Sequence, residues 1–229
     1  MDRVAVLEEL ATRLAGVSLG WPVRVAIDGR TASGKTTLAN EVASLIRDKG
    51  RPIIRTSIDG FHRPKATRYA RGRHSPEGYY YDARDLAAVM RLLLEPLGPE
   101  GDRLYRTQSF DLENDRPVEQ EPQSAPADAV LVVDGTFLQR PELRNGWDIT
   151  IFVKASERTA ERSGVARDSQ LLGGEAAAQK LYAERYRPAF DLYDRLSAPE
   201  VNADVVLVNE DFQRPRIHIR PDGRLAEAA

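Results

Sequence analysis

The 229-residue sequence contains no cysteine, which excludes disulfide bonds and thiolate metal sites. It also lacks an excess of charge, because 33 lysine and arginine residues face 35 aspartate and glutamate residues. The net charge of −2 gives no reason to expect a nucleic acid or a membrane as partner. No apolar run approaches the length of a membrane span, and the three histidines lack the spacing of a zinc site. This composition fits a reducing cytoplasm, where we expect the protein.

The stretch from Gly29 to Thr36 reads G-x-x-x-x-G-K-T, a pattern typical of loops whose backbone N–H groups cradle phosphates. An apolar strand pattern at 23–28 leads into it and a helical pattern at 37–49 leaves it, so a chance glycine turn is the weaker reading. The Lys35 ammonium would reach the β- and γ-phosphates, and the Thr36 hydroxyl would bind Mg²⁺. The sequence therefore predicts a nucleotide site, with ATP or GTP still open, formed by Gly29, Arg30, Thr31, Ala32, Ser33, Gly34, Lys35, Thr36 and Thr37.

Four further apolar runs indicate strands, and helical patterns separate most of them. The runs are 52–58, 129–135, 149–153 and 205–209. This alternation predicts an α/β fold with a mainly parallel, five-stranded, doubly wound sheet. Polar and apolar residues alternate over 216–220, which is consistent with an edge strand. We expect one domain over 1–229, with an N-terminal helix at 1–15, an acceptor-side insertion at about 61–128 and a lid at about 155–175.

Two acids directly follow predicted strands, and the carboxyl ends of parallel strands share one edge of the sheet. Asp134 can orient Mg²⁺ beside Thr36, or it can cap the turn at Gly135. Asp59 can accept a proton from a substrate hydroxyl, or it can bond to its own backbone in a turn before Gly60. The residues alone favour the metal role for Asp134 and leave both roles of Asp59 open.

Basic residues concentrate in two places. The run of Arg63, Lys65, Arg68, Arg71 and Arg73 lies beside several tyrosines, so it can form a solvated surface, an RNA-binding patch or part of a small-molecule site. Further arginines occupy the predicted lid, where one can stabilise charge on a transferring phosphoryl group. Arg167 is the strongest candidate for that role.

Beyond the phosphate loop, several motifs occur in a specific order, at 57–62, 81–85, 131–135, 165–168, 186–190 and 203–206. With them the chain resembles the uridine kinase and phosphoribulokinase-like branch of P-loop kinases. The resemblance implies a P-loop NTPase-type three-layer αβα fold with a lid, and an ATP- and Mg²⁺-dependent phosphotransferase acting on a hydroxyl. It makes Asp59, Lys35 and Arg167 the catalytic residues, and it places Asp82 and Tyr105 where nucleoside kinases hold the ribose and base.

The acceptor side departs from the pattern of this branch. Its nucleoside kinases carry a histidine five residues after the tyrosine matching Tyr105, whereas this chain has Phe110, which cannot make the same hydrogen bonds to a pyrimidine. The predicted acceptor residues are Asp82, Tyr105, Phe110 and His62. The expected partner is a small hydroxylated molecule, with a uridine-like nucleoside as first choice and a sugar or pantothenate-like alcohol as alternative. A nucleotide-binding regulator without catalysis and an RNA-binding protein are the rivals, and a homo-oligomer stays open.

Overall fold

A six-stranded sheet forms the centre of the fold in the computed structural model, which describes residues 2–226. Residues 2–226 form ten strands: β1 (Val23–Gly29), β2 (Ile53–Ser57), β3 (Leu104–Tyr105), β4 (Phe110–Asp111), β5 (Arg116–Pro117), β6 (Gln123–Ser124), β7 (Val130–Gly135), β8 (Ile149–Lys154), β9 (Val205–Val208) and β10 (Arg216–Ile219). The sheet order is β10-β9-β8-β1-β7-β2, and β10 is antiparallel to β9 while the other pairs are parallel. The predicted parallel α/β sheet is confirmed, but it has six strands rather than five because the alternating tail pairs with β9.

Helices cover both faces of the sheet. Those of the described chain are α1 (Arg3–Gly16), α2 (Lys35–Asp48), α3 (Lys65–Arg68), α4 (Leu86–Val89), α5 (Glu157–Leu172), α6 (Glu175–Leu181), α7 (Arg187–Ser197) and α8 (Pro199–Asn202). The predicted N-terminal helix corresponds to α1, which begins at Arg3 because the Asp2 carboxylate accepts a hydrogen bond from the backbone N–H of Ala5. None of the helices within 2–226 is both long and apolar enough to cross a membrane.

The central strands are buried on both faces, which explains their nearly continuous apolar sequence. In β1, Val25 and Ile27 pack with α1 and α2 on one face, while Ala26 belongs to the core on the other face. Neighbouring β7 is wholly buried and divides its side chains between the same two cores. The layers are therefore helix, sheet and helix, and the carboxyl ends of β1, β2 and β7 lie side by side.

The region predicted as an acceptor-side insertion, 61–128, contains two small ribbons. β3 pairs with β6, and β4 pairs with β5, and both pairs are antiparallel. The chain therefore runs outward along β3 and β4 and returns along β5 and β6. A π-helical turn, Gly78–Asp82, precedes α4, which begins only at Leu86 because the Asp85 side chain caps it. The role of this insertion in acceptor binding stays a prediction.

The region predicted as a lid lies within a pair of packed helices, α5 and α6. Gly173 and Gly174 join them with φ angles of +88° and +117°, values that glycine adopts without strain. Gly164 of α5 lies against the ring of Tyr182, which belongs to the π-helical turn Tyr182–Tyr186 before α7. Pro188 stands at the start of α7, directly after this turn, because a proline cannot continue the regular hydrogen-bond pattern of a helix. Closure of these helices over a substrate stays a prediction.

Candidate active site

The conformation of the phosphate loop between β1 and α2 depends on two glycines. Gly29 and Gly34 have φ angles of +149° and +97°. A Cβ atom would lie 2.6 Å from the Val153 carbonyl oxygen at Gly29, and 2.5 Å from the Asn209 Nδ2 atom at Gly34. Only glycine fits either position. Gly34 is also the N-terminal cap of α2, so this helix begins at Lys35, two residues before the helical pattern seen in the sequence at 37–49.

The groove beside this loop has room for a nucleotide. Its volume is about 540 Å³, within the usual range for small-molecule sites. The loop residues from Ala32 to Thr37 line one wall, α5 lines another, and the segment 209–212 after β9 closes the third. The Asn209 side-chain amide donates to the Ser33 carbonyl oxygen at 2.9 Å, which fixes the loop against that segment. The cradle therefore fits the triphosphate of a nucleotide, whose identity stays a prediction.

Lys35 lies almost wholly buried at the start of α2, with 7% of its surface exposed. Its ammonium donates to the Arg30 carbonyl oxygen at 2.7 Å and so points back across the loop. Burial lowers the pKa of Lys35, whereas Tyr79, Asp28 and Asp134 act in the opposite direction. The arrangement holds a positive charge where the β- and γ-phosphates are expected.

Thr36 and Asp134 are in direct contact, as the metal prediction requires. The Thr36 hydroxyl donates to Asp134 Oδ2, and the guanidinium of Arg55 lies 2.6 Å from Oδ1. Magnesium is bound by a few protein oxygens together with phosphate oxygens and water, so one hydroxyl and one carboxylate beside the phosphate loop suit it. Within 2–226 no cluster of three or more His, Cys, Asp or Glu residues could hold a metal.

A small cavity of about 110 Å³ joins the phosphate loop to the predicted base Asp59. It is lined by Thr31, Ala32, Lys35, Thr36, Ser57, Asp59, Tyr79, Arg84, Asp134, Gly135, Thr136 and Arg167. The structure therefore brings together all five residues predicted for catalysis or metal binding: Lys35, Thr36, Asp59, Asp134 and Arg167. The pairing of β2 with β7 accounts for this, because it sets Ser57 beside Asp134 at the same edge.

Asp59 lies in a 3₁₀ turn, Ile58–Phe61, directly after β2. The Ser57 hydroxyl caps this turn, while the Asp59 carboxylate accepts a hydrogen bond from Arg84 Nη2 at 2.7 Å. Desolvation raises the pKa of Asp59, but the positive charge of Arg84 and its hydrogen bond outweigh it and leave the pKa lowered. Asp59 is thus ionised at neutral pH, and 59% of its side chain is exposed, as a proton acceptor requires.

Arg167 extends from α5 and lines both the groove and the small cavity. Its guanidinium contacts the Asp168 carboxylate at 2.6 and 3.0 Å, and that carboxylate also accepts from the Tyr182 hydroxyl at 2.8 Å. Arg167 is consequently held by Asp168 of α5, which is itself fixed by Tyr182 of the π-helical turn.

The four predicted acceptor residues lie outside the lining of this cavity. Tyr105 is buried and donates to Gln123 Oε1 at 3.0 Å, and Phe110 is buried opposite Pro117 in its ribbon. Asp82 pairs with Arg71 at 2.7 Å, and His62 contacts the Asp59 carbonyl oxygen at 2.9 Å through Nδ1. Burial and the charge of Arg84 lower the pKa of His62 to about 4. Their roles in acceptor binding stay predictions, with His62 nearest to Asp59.

Sequence reasoning missed four side chains of the cavity: Ser57, Tyr79, Arg84 and Thr136. The Tyr79 and Thr136 hydroxyl oxygens are 3.3 Å apart, and Arg84 binds Asp59. Arg84 stands in the motif at 81–85, but its partner is 25 positions away, so no local spacing identified it. The isolated β-bridge between His62 and Arg84 creates this contact.

Neither a family model nor a curated protein sequence matches this chain. Solved structures do match. A protein described as a possible uridine kinase from Bacillus stearothermophilus has a TM-score of 0.70 at 22% identity, covering 89% of this chain and 97% of its own. A candidate fructose transport system kinase from a Silicibacter species has a TM-score of 0.70 at 22% identity, covering 83% and 95%. The chain has a P-loop kinase fold. A D-glycerate 3-kinase from Cryptococcus neoformans also matches, with a TM-score of 0.61 at 10% identity over 95% and 98% of the two chains.

The similarity bears out the P-loop NTPase-type fold that the sequence predicted. It also supports the resemblance to the uridine kinase and phosphoribulokinase-like branch. The three neighbours are described with different acceptors, so the shared fold alone does not identify an acceptor for this chain.

Proposed function

We propose that this protein is an ATP- and Mg²⁺-dependent kinase that phosphorylates a hydroxyl group of a small molecule. The observation that carries the proposal is the single cavity in which Lys35, Thr36 and Asp134 face the Asp59 carboxylate. A uridine-like nucleoside is the first choice of acceptor and a sugar or pantothenate-like alcohol is the alternative; the neighbours' descriptions name uridine and fructose and add glycerate as a candidate.

The side chains have distinct tasks in this proposal. Lys35 and the loop N–H groups bind the triphosphate, and Arg167 meets the γ-phosphate from the lid side. Thr36 and Asp134 hold Mg²⁺, which would neutralise charge on the phosphate oxygens when bound. Asp59 orients the acceptor hydroxyl and takes its proton.

In the transfer step the acceptor oxygen forms a bond to the γ-phosphorus of ATP. The bond from that phosphorus to the bridging oxygen breaks, and ADP leaves with the electron pair. The hydroxyl proton passes to Asp59. Because the lowered pKa makes Asp59 a weak base, its main contribution is to orient the hydroxyl and to receive the proton late in the step.

Asp59→Asn tests the proposal, because asparagine keeps the shape of the side chain but cannot accept the proton. We expect turnover to fall by about 100- to 10,000-fold while the affinity for Mg-ATP changes little. Asp111→Asn is the matched control, since Asp111 also faces an arginine, Arg116 at 3.6 Å, but lies outside the cavity. The assay measures ADP formation and mass gain over a panel of nucleosides, sugars, glycerate and pantothenate. Turnover in Asp59→Asn within a few-fold of the unchanged protein would rule out Asp59 as the base.

Two rivals from the sequence receive less support. A regulator without catalysis has no need for a carboxylate in the phosphate cavity, where Asp59 lies. RNA binding through the basic run is disfavoured because Arg68 pairs with Asp115 at 2.9 Å, and Arg71 pairs with Asp82. A flat dependence of RNA binding on salt would exclude the second rival.

A further inference from the structure

Arg84 is the least satisfied charged side chain of the cavity. It is buried, with 7% of its surface exposed, and its Nη2 atom binds Asp59. Within residues 2–226, its Nε and Nη1 atoms are buried without a hydrogen-bond acceptor. A buried donor left unpaired is costly, and folded proteins rarely leave one without an external partner. We propose that Arg84 binds an anionic group of the phosphate acceptor, so that the substrate is an anionic alcohol rather than a neutral nucleoside; this rests on the proposed kinase function.

The position of Arg84 fits such a partner. Its side chain forms part of the wall between the Asp59 cavity and a second cavity of about 290 Å³. Arg63 and Arg140 also line the second cavity, and Glu142 supplies its single acid, so three positive charges face one negative charge. A substrate that extends from Asp59 past Arg84 therefore enters a region of net positive charge.

Neighbouring groups respond to the same excess of positive charge. Burial raises the pKa of the Tyr79 phenol, yet the charge of Arg84 and the bond with Thr136 outweigh it and leave the pKa lowered. Burial and Arg84 together lower the pKa of His62 to about 4, so that imidazole stays neutral. In both shifts the charge of Arg84 acts to lower the pKa, and a positive charge of this kind favours an anion among the ligands of the site.

The contact between Arg84 and Asp59 also limits the shape of the acceptor. One guanidinium binds the base through Nη2 while its Nε and Nη1 atoms lack an acceptor, so a ligand that reaches both Asp59 and these atoms has its hydroxyl and its anionic group a few bonds apart. Small hydroxy acids and phosphorylated polyols meet this condition. The volume of about 110 Å³ at Asp59 agrees, since it is well below the usual size of a site for a drug-sized ligand.

Binding of three matched three-carbon probes tests the inference without turnover. Glycerol, glycerate and glycerol 3-phosphate are titrated by calorimetry into the full chain with Mg-ADP present, so that the phosphate loop is already filled. The unchanged protein should bind at least one acid more tightly than glycerol. Arg84→Gln should weaken that acid roughly tenfold to a hundredfold more than it weakens glycerol, whose affinity reports the effect of the lost contact with Asp59. The two acids separate a carboxylate site from a phosphate site.

Two further variants keep the result interpretable. Arg116→Gln removes an exposed arginine outside both cavities and should leave acid binding unchanged. Arg84→Lys keeps the charge but loses the forked geometry, and it should retain part of the affinity; it also serves if Arg84→Gln does not fold. Equal binding of acids and glycerol to the unchanged protein, or equal acid binding in Arg84→Gln, would overturn the inference.

Turnover of the same three probes and of uridine separates the kinase proposal from the proposal of an anionic acceptor. If glycerol or uridine is phosphorylated and neither acid binds, the kinase function stands and the anionic acceptor is wrong. If an acid binds through Arg84 but no ADP forms from it, the anion site stands and the kinase proposal loses its support.

Discussion

Asp28 lies fully buried at the end of β1, directly before the phosphate loop. Its Oδ1 atom accepts from the Gly29 N–H at 2.7 Å, and its Oδ2 atom accepts from the Tyr193 hydroxyl of α7 and from Gln139 Nε2. Burial raises the pKa of Asp28, and the bond from Tyr193 lowers it. The network ties the start of the phosphate loop to a helix of the opposite layer, and Tyr193→Phe tests how much stability it provides.

The substitution removes one hydroxyl and leaves the ring in place. A hydrogen bond to a charged group contributes about 1.5–3 kcal/mol, and the Gln139 backbone N–H also loses its acceptor, which lay 2.9 Å away. We therefore expect the free energy of unfolding to fall by about 2–3 kcal/mol. For a chain of this length the loss corresponds to a decrease in Tm of about 5–10 °C.

The loss should depend on pH with a definite sign. The pKa of Asp28 in the folded protein lies above its unfolded value, and Tyr193→Phe raises it further because a stabilising donor is gone. The full loss is therefore present at pH values above the folded pKa of the variant, where the carboxyl is ionised in both proteins. It shrinks as the pH falls and the carboxyl becomes protonated, because a neutral carboxyl needs less stabilisation. Urea unfolding at neutral pH and in mild acid measures both values.

Tyr105→Phe is the matched control, since it removes a buried tyrosine hydroxyl whose partner is the neutral amide of Gln123. It should cost about 0.5–1.5 kcal/mol, with no difference between the two pH values. Equal losses in the two variants, or a Tyr193→Phe loss that is unchanged in mild acid, would refute the account of Asp28 as a buried, stabilised carboxylate.

Two further variants test separate contacts. In the unchanged protein the buried Arg24 guanidinium binds Asp148 at 2.9 and 3.0 Å. Asp148→Ala leaves this guanidinium buried without its partner and should lower the free energy of unfolding by about 3–5 kcal/mol, as measured by urea unfolding. A loss within the ~1 kcal/mol typical of exposed pairs contradicts this. Arg55→Gln removes a cation that competes with Mg²⁺ for Asp134, so the Mg²⁺ concentration at half-maximal ATP binding should fall severalfold. A higher requirement would instead show that Arg55 orients Asp134 beside Thr36.

Sequence patterns locate best the elements whose structure is determined by residues that are adjacent in sequence. β1, the phosphate loop and α2 follow one another without interruption, and each has its own periodicity or glycine signature. The helical spacing of apolar residues over 82–94 indicates this region less precisely, because Asp82 ends a π-helical turn and α4 begins only at Leu86. The cap at Asp85, which accepts from the Ala88 N–H at 3.0 Å, was the available signal for the true start.

The strand β10 shows that pairing with a neighbouring strand can determine a structure that the local sequence pattern does not. Alternation over 216–220 is compatible with an edge strand or with an irregular tail. Ile217 packs against the core beside Leu207, and this contact, which no local sequence feature encodes, makes β10 the sixth strand. The ribbons of the insertion are two residues long, too short for any periodic signal.

The phosphate half and the proposed acceptor half of the candidate site differ in how far local sequence determines them. The phosphate half is formed by consecutive residues whose backbone shape depends on Gly29 and Gly34, so a local pattern predicts it. The acceptor half depends on the contact of Asp59 with Arg84, which forms only after β2, a 3₁₀ turn and the insertion have packed together. Side chains around Arg84 can therefore change the charge of the acceptor site without disturbing the phosphate loop, which allows one fold to serve different acceptors.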